Sequence, residues 1–342
     1  MGGYPVTVAP IVGTGASQVS SAPLYLRQYK LTLVPASGGQ AIVLSDSSTE
    51  PNALRIVFTV EQIVFHNYWF AEIDIYNADQ QTTENIIQQQ ATIPQGMTAI
   101  LQAGYVGGYY DLIWQGPVFQ PLWERQNVID YKITLRCILN FPSLMTKDSV
   151  SVNWASGASQ YEIVLSMIKS LGLQEGTISQ NLNKRPMSRG GQTFGSPDKE
   201  LDRIVRDNNM VWWIDMDKKV NVGHPNDGQV STAPAVVYTP ATGLIGSPQQ
   251  TQYGVEFTVL LDPRLKVTMP MMSVALNNAL IRQYQIQFGS YEFLPLDQDG
   301  IYIVGAVRHR GDSRGDQWYT DVTGFEKVSD AVAWSGMANI NR

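Results

Sequence analysis

Cysteine is almost missing from this chain: Cys137 is the only one in 342 residues. A lone thiol excludes an intrachain disulfide framework and a thiolate metal cluster. Charge is scarce too. Asp, Glu, Lys and Arg together make up 16% of the residues, against about 25% in an average soluble chain. Lys and Arg number 24, Asp and Glu 30, for a net charge of −6. That balance argues against a dedicated duplex-DNA binder, which needs a basic footprint to displace phosphate counterions. No apolar run approaches the ~20 residues that cross a bilayer. The opening Met1-Gly2-Gly3-Tyr4-Pro5 has no basic n-region, so no secretory signal is expected.

What is present is apolar and aromatic. Hydrophobic residues reach 44%, with 16 Tyr, 8 Trp and 11 Met. The length suggests two or three domains. Sparse charge has two readings here. One is a β-rich surface carrying Thr, Gln, Ser and Tyr in place of Lys and Glu. The other is a surface made to be covered, because interface cores lose charge and gain Tyr, Trp and Met.

Residues 1–23, rich in Gly, Ser, Val and Pro, read as an extended or disordered arm. From Leu24 to Leu139 the pattern is mostly strand. Ser37-Gly38-Gly39 sits between apolar alternations as a hairpin signal, and Ala71–Tyr76 alternates with Glu72 and Asp74 outward. Thr83–Gln90 fits a short helix with Thr82 or Thr83 as N-cap. Further strands are expected near 99–105, 110–119 and 128–139. A compact α+β module follows. Ser159-Gln160-Tyr161-Glu162 is a capping box that opens a helix over 160–171, with Tyr161, Val164, Leu165, Ile168 and Leu171 on one face. A second helix starts at Ser196-Pro197 and buries Leu201, Ile204 and Val205. A hairpin spans 210–222, and the segment 176–195, with Lys184, Arg185 and Arg189, reads as a mobile basic loop. Strands return at 255–260, 265–269, 279–288, 301–308 and 318–325.

The two β-rich parts share short matches. Ile56–Val60 resembles Val255–Val259, Gly116–Val118 resembles Gly305–Val307, and Ile133-Thr134 resembles Val322-Thr323. In that order they predict one β-fold used twice, with the α+β module between the copies.

No catalytic, cofactor or metal set is read from the sequence. His66, His224 and His309 stand far apart, without a partner at metal-ligand spacing. His309, between Arg308 and Arg310, is expected at a solvated strand end. Asp215 and Asp217 are spaced like a carboxylate pair but read better as a hairpin turn. Asp297-Gln298-Asp299-Gly300 reads as a tight turn, lacking the glutamate that ends a calcium loop. Gly13-Thr14-Gly15 lacks the third glycine of a dinucleotide loop. Arg314-Gly315-Asp316 reads as a loop tip, Cys137 as a buried inert thiol, and Trp212-Trp213 as indoles on opposite strand faces.

Five stretches, in three parts of the chain, carry a family resemblance. Leu112–Phe119 followed by Asp130–Arg136 is similar to the first barrel of baseplate hub proteins of contractile-tailed phages. Residues 159–171 and 194–222 resemble that family's middle domain, and Ile245–Arg264 resembles the opening of its second barrel. The fold expected is mainly β with an α+β insert: two tube-like β-barrels, at 24–145 and 241–328, around a small α+β domain at 146–240, with a tail at 329–342. The resemblance implies a homotrimer whose six barrels form a pseudo-sixfold ring. It also implies a tail tube protein and a central spike protein as partners, with tape measure and baseplate wedge proteins nearby. It implies further that passing DNA is enclosed without specific binding and that the location is the virion tail baseplate, with assembly in the host cytoplasm. No membrane insertion is expected. The competing readings are a tail-associated peptidoglycan hydrolase and a receptor-binding tail protein.

Overall fold

The computed structural model describes residues 23–46, 53–64, 69–90, 96–139, 150–184, 186–223, 233–251, 254–282, 296 and 299–326. The expected arm, except Pro23, and the tail lie outside these residues, as do His66, His224 and Asp297.

The first part of the chain forms β1 (Arg27–Pro35), β2 (Ile42–Asp46), β3 (Ile56–Ile63), β4 (Phe70–Tyr76), α1 (Gln80–Gln90), β5 (Met97–Tyr105), β6 (Tyr110–Arg125) and β7 (Tyr131–Ile138). The last part forms β13 (Val236–Tyr238), β14 (Leu244–Thr251), β15 (Gly254–Leu260), β16 (Ser273–Leu276), β17 (Ile301–Asp312) and β18 (Trp318–Phe325). All of these strands join one 13-stranded sheet, whose main path is β14-β15-β18-β17-β3-β4-β7-β6-β5-β1-β2. Period-two alternation puts one face of each strand into the core. In β3, Ile56, Phe58, Val60 and Gln62 are buried; in β4, Ala71, Ile73 and Ile75 are. The protein is therefore mainly β, as expected, but among the described residues the strands pair along an open path and no closed barrel is formed.

Between these parts lie β8 (Val150–Trp154), α2 (Gln160–Ser170), β9 (Gln174–Ile178), β10 (Gly191–Gly195), α3 (Pro197–Asp207), β11 (Val211–Ile214) and β12 (Lys219–Gly223). The capping box at Ser159 is formed in full, and Gly172 ends α2 with φ at 68°. The module has its own core of Val164, Met167, Ile168, Leu201, Val205 and Trp212. Met167 takes the inward place expected for Tyr161, which is only partly buried. The expected loop over 176–195 is instead largely built. It holds β9, parallel to β12, and β10, antiparallel to β8. Their short polar sequences hide both strands from a periodicity search.

Other expectations need correction. α1 begins three residues earlier than predicted, because Asp79 caps it by accepting from the Thr82 amide at 2.7 Å. Leu265–Met269 forms no strand: Leu265 and Val267 are buried, but the Val267 amide donates to the Gln62 side chain at 3.0 Å and not to a ladder. Where 279–288 is described, a 3-10 turn at Asn278–Leu280 stands in place of a strand.

A repeat is visible in strand order. The hairpins β3–β4 and β6–β7 pair as β3-β4-β7-β6; the hairpins β14–β15 and β17–β18 pair as β14-β15-β18-β17. Each second hairpin bulges once, between Val118 and Gln120 and between Val304 and Ala306. The bulges align Val118 with Val304 and Cys137 with Gly324. The sequence matches are out of register. Ile56–Val60 in β3 corresponds to β14, whereas Val255–Val259 lies in β15, the counterpart of β4. Alternating strands share letters by composition, and only hydrogen-bonding order identifies them.

Close packing at the joint between the repeats yields a prediction. A Cβ added at Gly311 would run into the Phe58 ring, itself packed edge-on against Trp318 at 5.4 Å. Gly311→Ala is expected to lower stability by about 1–3 kcal/mol, the usual effect of overpacking. Thermal unfolding measures it, and an unchanged midpoint would contradict the packing described.

Candidate assembly surface

The sheet face opposite the core is polar and laced with cross-strand ion pairs. Register sets the rows. Asp321 lies opposite Arg308, which lies opposite Glu61; Thr59 lies opposite Glu72, which lies opposite Arg136. Arg308 meets Glu61 at 3.0 Å, Arg136 meets Glu72 at 3.3 Å, and Arg310 reaches Asp321 at 2.9 Å. Lys132 is shared between Asp74 at 3.4 Å and Glu124 at 3.0 Å. Neighbouring carboxylates keep the Lys132 ammonium above its ordinary range despite desolvation. Each exposed pair adds little stability alone; together they leave few bare charges on this face. A shallow depression of about 650 Å³ lies on it, between Glu61, Ile245, Glu256, Arg308 and Asp321.

Buried polar groups hold the sheet from behind. Gln62, fully buried, donates from Nε2 to the Ile113 carbonyl at 3.2 Å and accepts from the Val267 amide at 3.0 Å. Asp262 accepts from the Tyr238 hydroxyl at 2.8 Å and is gripped by Arg264, whose guanidinium lies over the Tyr109 ring at 3.5 Å. The Asp262 amide donates to Thr320 Oγ1 at 3.0 Å, and Thr320 Oγ1 lies 2.9 Å from His309 Nδ1.

His309 thus corrects the expectation of a solvated strand end. It sits mid-strand on the core face, fully buried, with Nε2 3.1 Å from the Leu265 carbonyl. Burial lowers its pKa from 6.5 to about 4. Its flanking arginines misled the sequence reading: alternation sends Arg308 and Arg310 to one face and His309 to the other.

The hairpin tips differ in character. At 313–317, Arg27 donates to the carbonyls of Asp312, Gly315 and Asp316, Arg314 donates to the Ala53 carbonyl at 2.9 Å, and Arg55 grips Asp312 at 2.6 and 3.0 Å. Arg314-Gly315-Asp316 is a loop tip, as read, and it is tied to the chain's own body. At 126–130 the turn satisfies itself. Asn127 Oδ1 accepts from the Ile129 and Asp130 amides at 2.8 Å, and Asn77 donates to Asp130 at 2.9 Å. This rigid turn holds Val128 and Ile129 at 82% and 80% exposure, beside exposed Trp123 and Tyr131. Sequence reasoning placed Val128 inside a strand and missed this patch.

The remaining sequence candidates fall elsewhere and do not converge. Asp215 Oδ1 accepts from the Asp217 and Lys219 amides at 3.0 and 2.9 Å, so it shapes a hairpin turn; Asp217 points to solvent. Asp299 accepts from the Ile301 amide at 2.9 Å beside left-handed Gly300, also a turn. Cys137 is buried, and burial pushes its thiol pKa well up. Trp212 packs in the module core, and Trp213 in the main core. Among the described residues, no three His, Cys, Asp or Glu side chains gather as a metal site. No described helix is long and apolar enough to cross a membrane.

A charge-paired sheet face and exposed apolar groups at one strand and its tip are surfaces suited to contact with other proteins. Over residues 41–320 the sequence matches the model of the baseplate hub gp41 family, and the chain belongs to that family of phage tail baseplate proteins. Solved structures share the fold at low identity. A 43 kDa tail protein of prophage MuSo2 from Shewanella oneidensis matches with TM-score 0.53 and 8% identity, over 87% of this chain and 97% of that one. A tail protein from Neisseria meningitidis MC58 matches with TM-score 0.53 and 10% identity, over 91% and 99%. The Escherichia coli c3393 protein, a type VI secretion component described as similar to T4 tail proteins gp27 and gp5, matches with TM-score 0.50 and 8% identity, over 83% and 76%. No curated protein sequence matches the chain.

His309 yields a pH prediction. The unfolded chain takes up a proton near 6.5 and the folded chain only near 4, so stability contributed by neutral His309 is present above pH 6.5 and lost as pH falls towards 4. The loss approaches about 3 kcal/mol, since each tenfold difference in proton affinity between the two states is worth roughly 1.4 kcal/mol. Denaturant unfolding at pH 7 and pH 4.5 measures it, and His309→Gln is expected to flatten the difference.

Proposed function

We propose that the chain is a non-catalytic hub. Three copies form a ring of six similar β units, two tube-like units per chain, that joins a sixfold tail tube to a threefold central spike and encloses the path of the DNA. The observation that carries this reading is the four-strand order present twice in one chain. Duplication inside a chain lets three subunits present six equivalent surfaces, and heterologous contacts close such rings. The family and the fold shared with tail proteins support the place in the virion, and the likeness to a secretion component supports a spike as neighbour. Tape measure and wedge proteins are the further partners, with assembly in the host cytoplasm. No observation favours a hydrolase or a receptor-binding protein; Asp215 and Asp217, the carboxylate pair spaced for hydrolysis, shape a turn.

Mass and symmetry of the purified protein test the ring. A trimer showing six similar lobes in axial projection is expected; a stable monomer, or lobes unlike one another, would overturn it.

The polar sheet face bears on the conduit. Acids slightly outnumber bases there, and Arg308, Arg310, Arg136 and Lys132 are all engaged by carboxylates. Cations held by carboxylates in this way are less available to passing phosphates. Purified hub is expected to show no salt-sensitive DNA binding in a low-salt titration. Tight binding with a steep salt slope would refute the inert conduit.

A further inference from the structure

We propose that residues 4–12 of the N-terminal arm lie back along their own chain and cover the apolar patch that Trp123, Val128, Ile129 and Tyr131 expose at the β6–β7 tip. The proposal goes beyond the ring reading and does not depend on it.

The patch is an uncovered end of the core. Ladder register puts Pro121 opposite Leu135 and Trp123 opposite Ile133, and both partners are buried. Alternation therefore turns Trp123 to the core face of the sheet. There it stacks on Tyr131 at 5.6 Å, and both rings stay partly exposed, with Val128 and Ile129 standing out beside them. The second repeat closes the same place. By the aligned bulges Trp318 is the counterpart of Tyr131, and Trp318 is buried with the Phe58 ring against it. The first repeat lacks such an apolar cover among the described residues.

Reach points to the arm. The described chain begins at Pro23, whose carbonyl lies against Gly108, and Leu24 lies against Gly243. A few residues on, Arg27 holds the carbonyls of the 313–317 tip. That tip and the 126–130 tip share the walls of one hollow of about 350 Å³, lined by Ala53, Arg55, Tyr76, Gln126, Asp130 and Arg314. From β18 across to β7 the sheet order is β18-β17-β3-β4-β7, roughly 20 Å at ~4.8 Å per strand. An extended chain crosses that distance in about six or seven residues. The small and polar stretch Gly13–Ala22 is long enough for the crossing, which leaves Tyr4–Val12 to reach the patch.

Chemistry agrees with reach. Residues 1–23 contain no Asp, Glu, Lys or Arg, while Tyr4, Val6, Val8, Ile11 and Val12 are apolar. At the rim of the patch Asp130 accepts from Asn77 and Asn127, and Arg125 donates to the carbonyls of Asn127 and Val128. The Arg125 guanidinium also lies 5.7 Å from the centre of the Tyr131 ring. These two charges have partners, so an occupant without charged side chains brings none that needs pairing on desolvation. Val6 and Val8 share one face of an extended segment and suit the aromatic pair. A tether helps as well: a segment on the same chain is present at an effective concentration on the order of millimolar, so a modest contact area is enough.

Directed cross-linking of the full chain tests the contact. Cys137→Ala removes the native thiol, and Val8→Cys with Ile129→Cys places one thiol on the arm and one on the patch. Mild oxidation is expected to close an internal loop, read as a single chain that runs faster on a non-reducing gel, while neither single variant shifts. The control pair Val8→Cys with Phe194→Cys, the second thiol exposed on β10, is expected to form no loop. Chains linked to one another in place of the loop would give the patch to the arm of a second copy, and no linkage of either kind would leave it to another protein; each outcome overturns the proposal. A second readout is energetic. Val6→Asp with Val8→Asp is expected to lower the thermal midpoint by about 2–4 °C in the parent chain, and to leave it unchanged in Trp123→Ala, because both changes remove the same contact. Equal shifts in the two backgrounds, or no shift in the parent, would overturn it. The energetic readout does not turn on oligomeric state, so failure of the ring reading and failure of this contact are told apart.

Discussion

The ladder between β3 and β17 holds the two repeats in one sheet. It joins residues about 250 positions apart, with the whole α+β module looped out between them. Closing so long a loop costs chain entropy, although each doubling of length adds only about 0.6 kcal/mol. The joint is fastened at both ends. Near Ile56, Arg55 grips Asp312, the Ile56 amide donates to Ser313 Oγ at 3.0 Å, and the Ser313 amide returns to the Ile56 carbonyl at 2.9 Å. Near Ile63, buried Gln62 ties β6 to the irregular segment at Val267. Without this joint the two repeats would be separate small sheets with four raw edges.

Sparse charge takes on a physical meaning on this sheet. The two readings of the composition are an ordinary polar β-surface and a surface made to be covered. The face opposite the core places its few charges in cross-strand pairs. The outer side of β6 and the 126–130 turn carry exposed Trp123, Val128, Ile129 and Tyr131. Asn127 and Asp130 are bonded within the turn and to Asn77, so an apolar contact there leaves these groups satisfied.

Much of the architecture is legible in local pattern. Alternation marks β3, β4, β15, β17 and β18; the Ser159 capping box and the Ser196-Pro197 start mark the two module helices; Asp215 announces its hairpin turn. The short polar strands β9 and β10 are silent, because their stability comes from neighbours and not from propensity. Leu265–Met269 has the letters of a strand but no partner to pair with. The repeat is legible as existing and illegible in register, since strands of one composition match at several offsets.

Composition and period are local properties that each segment expresses alone. They suffice to define a β-rich protein without a disulfide framework, carrying a small helical insert and few charges. Which strands correspond, where His309 points, and that one sheet runs through both repeats emerge only in the folded chain. Those facts are hydrogen-bond partnerships between distant segments, and no local pattern encodes the identity of a partner.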